Sequence, residues 1–179
     1  SPIDYPPQFF SLKDERPTLY INSVVDSREI IPKNVKPAPN SGRFEEDPLL
    51  LAKNTTWVDA VYVRTQKPPR EIIRDALEDE LRRFNVKLTK ERSLAGGVLN
   101  ASIEKFQKQV YLSDPVTSVK IDLRLYQRGS DDPVWRGTLT GNITKESNLN
   151  IALNRAIKQW YNYPAFKEAL VKLAGNVTS

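Results

Sequence analysis

The chain has 179 residues and carries 27 Lys and Arg against 22 Asp and Glu, a net charge of +5, with neither Cys nor His at any position. That length is typical of one globular domain. Without Cys, disulfides, thiol catalysis and Cys-ligated zinc are excluded, and without His so are a Ser-His-Asp triad and an HExxH metal site. No metal and no cofactor are therefore expected, and the chain is predicted not to be an enzyme.

The first third of the chain is predicted to hold a leader, two strands and a long loop. Residues 1–17 contain four prolines and no periodicity, which is typical of an extended leader or tether. Thr18–Asp26, rich in β-branched residues, predicts a first strand, and Thr56–Val63 predicts a second. Residues 27–53 contain four further prolines and predict a long loop within a single domain that spans residues 18–175.

The clearest predicted helix follows Pro68 and Pro69. Its apolar side chains recur at helical spacing while charged side chains take the opposite face. The apolar set is Ile72, Ile73, Ala76, Leu77, Leu81 and Phe84, and the charged set is Arg74, Asp75, Glu78, Asp79 and Arg82. Asn85 suits the left-handed position that ends a helix, and Val86–Thr89 predicts a short strand after it.

Three strands in succession form a predicted meander. The first of them begins with Val98–Ile103 and could continue irregularly to Tyr111. Val119–Tyr126 alternates apolar and polar residues without a break, which is the best strand pattern of the chain. A turn at Arg128–Pro133 then leads into Trp135–Ile143, which alternates in the same way. The meander should therefore bury one face and leave the other wet.

Two helices close the predicted domain. Ser147 or Asn148 can cap the first, Pro164 opens the second, and Gly175 stops it. The order is β-β-α-β-β-β-β-α-α. It predicts an α+β fold in which an antiparallel sheet carries the helices on one face.

The net positive charge comes entirely from the second half of the chain. Residues 1–89 hold 14 basic and 14 acidic side chains, whereas residues 90–179 hold 13 basic and 8 acidic ones. Such a surface is either an ordinary solvated face or a contact for an anionic surface such as lipid headgroups. No nucleic-acid-binding motif is present, so nucleic acid is not an expected partner.

Two groups of residues are candidate partner contacts. Asp26 and Arg28 follow the end of the first strand, where polar groups can be presented from a rigid base. The alternative is that these two side chains pair or cap locally. Tyr161, Tyr163 and Phe166 lie around the break between the last two helices and could dock a partner, or they could form an apolar joint between those helices.

Several segments together resemble a known family. The strand ending in Val-Asp-Ser-Arg at residues 25–28, the helix end Leu-Arg-Arg-Phe-Asn-Val at 81–86 and the tail at 148–170 resemble the YajG-type bacterial envelope lipoproteins. More loosely, the chain is similar to auxiliary lipoproteins of ABC-type lipid transporters and to the lipopolysaccharide-assembly lipoprotein. The likeness covers residues 18–173. It implies a signal peptide, a lipidated N-terminal Cys that would lie upstream of Ser1, and a periplasmic location on a membrane.

The predicted function is that of a non-enzymatic binding or scaffold domain of the bacterial cell envelope. The domain would act as an accessory subunit of an envelope protein complex, held on a membrane by an N-terminal lipid anchor that this chain does not contain. The outer membrane is one alternative for that membrane. The alternative is a carrier or chaperone that holds a lipid or small amphiphile in an apolar cleft. An enzymatic interpretation could use only carboxylates, Lys or Tyr.

Overall fold

The computed structural model describes residues 17–28, 50–55, 60–64, 67–111, 114–144 and 148–175. The strands are β1 Thr18–Ile21, β2 Val25–Asp26, β3 Leu50–Thr55, β4 Ala60–Arg64, β5 Lys87–Leu88, β6 Gly97–Tyr111, β7 Asp114–Gln127 and β8 Pro133–Thr144. The helices are α1 Pro69–Arg83, α2 Leu149–Lys158 and α3 Pro164–Gly175, with single 3-10 turns at Arg92–Leu94 and Gln159–Asn162.

Six strands form one open, mixed sheet in the order β5-β1-β6-β7-β8, and β2 pairs with β6 beyond β1. The α+β class is confirmed. The sheet is antiparallel in the β6-β7-β8 meander, whereas β1 is parallel to both β5 and β6, and β2 is parallel to β6. The expectation of a wholly antiparallel sheet is therefore wrong. Helix α1 lies between β1 and β5 in the chain, and such a crossover allows neighbouring strands to run in the same direction.

The predicted strand Thr18–Asp26 is interrupted near its middle. Ile21 pairs with Leu99, and Val25 pairs with Ser102. Between these two pairs the first strand has three residues and β6 has two. One extra residue on one strand of a pair is the definition of a β-bulge. The amide of Asn22 still donates to the carbonyl of Leu99 at 2.9 Å. An alternation pattern cannot show such an insertion.

A hairpin of β3 and β4 precedes α1 as a separate two-stranded sheet. The second predicted strand, Thr56–Val63, corresponds to β4 at Ala60–Arg64. The first strand of the hairpin, β3, differs from the sequence prediction, which places residues 50–53 at the end of the long loop. The predicted leader at residues 1–16 and the loop over residues 29–49 lie outside the described residues.

The alternation along β7 decides where the core lies. Val119, Ile121, Leu123 and Leu125 are fully buried, whereas the side chains between them are partly or fully exposed. All three helices cover the buried face: α2 packs on β7 and β8, α3 packs on β8, and α1 packs beside β2 and β5. The opposite face of the meander carries no helix in the described part of the chain.

Candidate functional site

Asp26 and Arg28 meet where β2 ends. The Nε and Nη2 atoms of Arg28 donate to Oδ1 and Oδ2 of Asp26, each at 2.7 Å. The Nη1 atom of Arg28 also donates to the carbonyl oxygen of Phe106 in β6 at 3.1 Å. The Arg28 and Asp26 side chains are only 7% and 17% exposed. The geometry is thus that of a local pair that fastens the end of β2 to β6, and a direct partner contact through these residues stays a prediction.

Tyr161, Tyr163 and Phe166 lie around the joint between α2 and α3, where their rings contact Phe84, Trp135 and Trp160. Phe166 is completely buried, and its ring lies 4.7 Å from that of Trp135 and 5.0 Å from that of Trp160. Tyr161 is 8% exposed. The turn between the helices directs the rings of Tyr161 and Phe166 into the core, and a partner contact through these two residues stays a prediction. The structure forms the apolar joint that the sequence left as the alternative.

Tyr163 is half-buried and binds the outer edge of the sheet. Its hydroxyl donates to the carbonyl oxygen of Thr138 at 2.7 Å and accepts from the Thr138 amide at 3.4 Å. Further along β8, Nη1 of Arg155 in α2 donates to the carbonyl oxygen of Asn142 at 3.1 Å. An open strand edge offers unpaired backbone groups to other chains. The C-terminal helices therefore occupy part of an edge where a further strand could pair.

Glu80 is a buried acid on α1, on the side of the helix that faces the core. It is 4% exposed, and its Oε2 lies 3.8 Å from Nη1 of Arg83. Burial raises the pKa of the Tyr161 hydroxyl well above its usual value, and the hydrogen bond to Glu80 raises it further. The spacing held a signal, because Glu80 lies three residues after Leu77 and four before Phe84, on the apolar stripe of α1.

A cleft of about 390 Å³ lies beside α3. It is lined by Gln127, Val134, Ala165, Glu168, Ala169, Lys172 and Leu173. The volume falls within the range of small-molecule sites. Its lining, however, includes the charged residues Glu168 and Lys172. The carrier alternative, which needs an apolar cleft for a lipid, stays a prediction.

Two features of the described residues bear on function. They contain no group of three or more His, Cys, Asp or Glu side chains able to hold a metal ion. In the same part of the chain, no helix combines the length and the apolar character needed to cross a membrane.

Comparison with known proteins places the fold. No family model matches the chain, and no curated protein matches it in sequence. Among solved structures, a DUF330-family protein of Xanthomonas campestris is 12% identical with a TM-score of 0.51, covering 89% of this chain and 82% of the other. The PelC dodecamer of Paraburkholderia phytofirmans is 15% identical with a TM-score of 0.53, covering 86% of this chain and 91% of the other.

A lipoprotein of Neisseria meningitidis is also similar, at 11% identity and a TM-score of 0.48, covering 82% of this chain and 99% of the other. Solved structures similar to this chain thus include bacterial lipoproteins and a DUF330 protein. At these identities a likeness shows the fold and not the activity. The chain has the α+β fold seen in the DUF330 protein and in PelC.

Proposed function

We propose that this protein is a non-enzymatic binding domain of the bacterial cell envelope that acts as an accessory subunit of an envelope complex. The observation that carries the proposal is the fold, which the chain shares over 86% of its length with PelC, a protein whose structure is a dodecamer. In PelC, therefore, a domain of this fold makes contacts with other protein chains. The absence of Cys and His from the sequence agrees with this role, since it removes the commonest catalytic groups.

The location belongs to the same proposal. We place the domain in the periplasm, tethered to a membrane as a lipoprotein of the YajG type. The resemblance of residues 18–173 to that family supports this assignment. Metabolic labelling of the full-length protein with a clickable palmitate analogue tests it. Label on the mature protein is the expected result, and an unlabelled protein recovered from the cytoplasm would contradict the location.

Site-specific photo-crosslinking tests the accessory role. A photoreactive amino acid is placed at Ile151 or Val171, which are 37% and 39% exposed on α2 and α3. The matched control position is Asp131, which is exposed in the turn between β7 and β8. We expect one envelope protein to be captured from a helix position and not from the control. Capture of the same abundant proteins from all three positions, or of none, would contradict a specific partner on the helix layer.

A further inference from the structure

The face of the meander that points away from the helices carries two pairs of like charges. Arg124 of β7 stands directly opposite Arg136 of β8, and Lys105 of β6 stands directly opposite Lys120 of β7. Arg124, Arg136 and Lys105 are exposed, and Lys120 is half-buried. Like charges placed directly across a sheet destabilise it. This arrangement therefore has a cost that folding alone does not explain.

The arginine pair is a close one. Because the Thr138 amide and carbonyl both bind the Tyr163 hydroxyl, Thr138 does not exchange backbone hydrogen bonds with Asp122, its partner in β7. Bonded and non-bonded pairs alternate in an antiparallel ladder. Arg124 and Arg136, two residues along, are therefore a non-bonded pair, with Cα atoms about 4.5 Å apart and side chains close together.

The four basic side chains on this face outnumber the two nearby carboxylates and are not paired with them. In the described part of the chain, none of the four basic side chains forms an ion pair. The two nearby carboxylates have other hydrogen bonds: Asp122 accepts from Thr138 Oγ1 at 3.0 Å, and Glu104 accepts from Ser102 Oγ at 3.1 Å. Helix α1 differs, since Arg74 and Arg82 are both paired with Glu78.

The composition of this face fits a membrane surface. Tyr20 and Tyr126 stand in register on either side of Val98, in the row next to the arginine pair. Tyr and Arg side chains suit the boundary between headgroups and water. Guanidinium groups bind phosphate in a bidentate manner. Phospholipids diffuse laterally, so their phosphates can adjust to cations fixed on the three strands of an open sheet.

We propose that this basic sheet face, defined by Lys105, Lys120, Arg124 and Arg136, docks on a membrane surface that is rich in anionic phospholipid headgroups. Arg124 and Arg136 together bind the phosphates. The inference rests on the proposed envelope location, and it specifies which side of the domain faces the membrane. The helix layer is then left free for a protein partner.

Vesicle co-sedimentation of the purified protein tests this directly. The vesicles are phosphatidylcholine with about 30% phosphatidylglycerol, or phosphatidylcholine alone. Wild type should sediment with the anionic vesicles only, and less so as NaCl rises from about 50 to about 300 mM. Arg124→Gln/Arg136→Gln should partition about thirty-fold more weakly, the usual contribution of two basic side chains near anionic headgroups. Unfolding curves of both proteins confirm that the variant is folded.

The control Arg70→Gln/Lys172→Gln changes exposed residues of α1 and α3 and lowers the net charge equally, from +5 to +3. We expect it to bind the anionic vesicles like wild type. The proposal is overturned if wild type does not sediment, or if both double variants lose binding equally. Release of the protein from the vesicles by inorganic phosphate at matched ionic strength also overturns the proposal. So does binding to a soluble acidic polymer that is tighter than binding to the anionic vesicles. None of these results affects the crosslinking test of the helix layer.

Discussion

Replacing Gly141 with Ala probes how closely α2 is seated on the sheet. Gly141 lies in β8, and a Cβ atom built on it would overlap the carbonyl oxygen of Ala152 and lie 2.7 Å from the amide nitrogen of Ala156. Real Cβ atoms do not come within 3.0 Å of such neighbours. Both obstructing atoms belong to the backbone of α2. The new methyl group can therefore be accommodated only if the whole helix moves away from the sheet.

We expect Gly141→Ala to lower the free energy of unfolding by about 3 kcal/mol, the upper end of the usual range for overpacking, since no side chain can turn aside. The movement would also loosen the packing of Ala152 and Ala156, both completely buried. It would stretch the hydrogen bond from Arg155 to the Asn142 carbonyl, which is 3.1 Å long. Lost packing and a lengthened hydrogen bond act in the same direction.

Urea unfolding followed by circular dichroism measures this change. Gly129→Ala is the matched control, because Gly129 has a φ of +78° but no heavy atom within 4 Å of its built Cβ. Its cost should be about 1 kcal/mol, from the left-handed backbone alone. If Gly141→Ala costs no more than Gly129→Ala, α2 does not lie as close to Gly141 as the positions of Ala152 and Ala156 require.

Three further changes have defined outcomes. Tyr163→Phe removes the hydroxyl that binds the Thr138 backbone and should cost about 1 kcal/mol in urea unfolding, so an unchanged midpoint would contradict that bond. Because the pKa of Tyr161 is raised in the folded state, the free energy of unfolding should fall as the pH rises above 10.0, the ordinary pKa of a tyrosine. Tyr161→Phe should remove that fall in unfolding curves measured at several pH values. Arg124→Gln/Arg136→Gln should raise the free energy of unfolding by about 0.5 kcal/mol at low salt, and a loss of stability would argue against like-charge repulsion.

Local patterns were enough to predict most of the elements. The spacing of apolar residues in 69–83 and the alternation in 119–126 predicted α1, β7 and the buried face of the sheet, because these periods follow from helix and strand geometry alone. Strand β3 was missed, since the prolines before it made residues 27–53 look like one continuous loop. Strand direction was missed too, since the pattern of a buried face is the same in parallel and antiparallel pairs.

The candidate contacts show where sequence reasoning reaches its limit. The sequence singled out Tyr161 and Phe166 as apolar residues at a helix break, but which way their rings point depends on how α3 folds back after that break. It singled out Asp26 and Arg28 as polar residues at a strand end. Their local pair depends on the chain turning so that Arg28 also reaches the Phe106 carbonyl of a distant strand.

By itself the sequence determined the α+β class, the apolar stripes and the absence of Cys and His chemistry, because composition and periodicity are properties of the chain alone. The tertiary structure decided which residues of different strands face each other. The basic side chains of residues 90–179 look scattered in the sequence. Strand register brings Arg124 beside Arg136 and Lys105 beside Lys120, and register depends on how three strands align and not on any one of them.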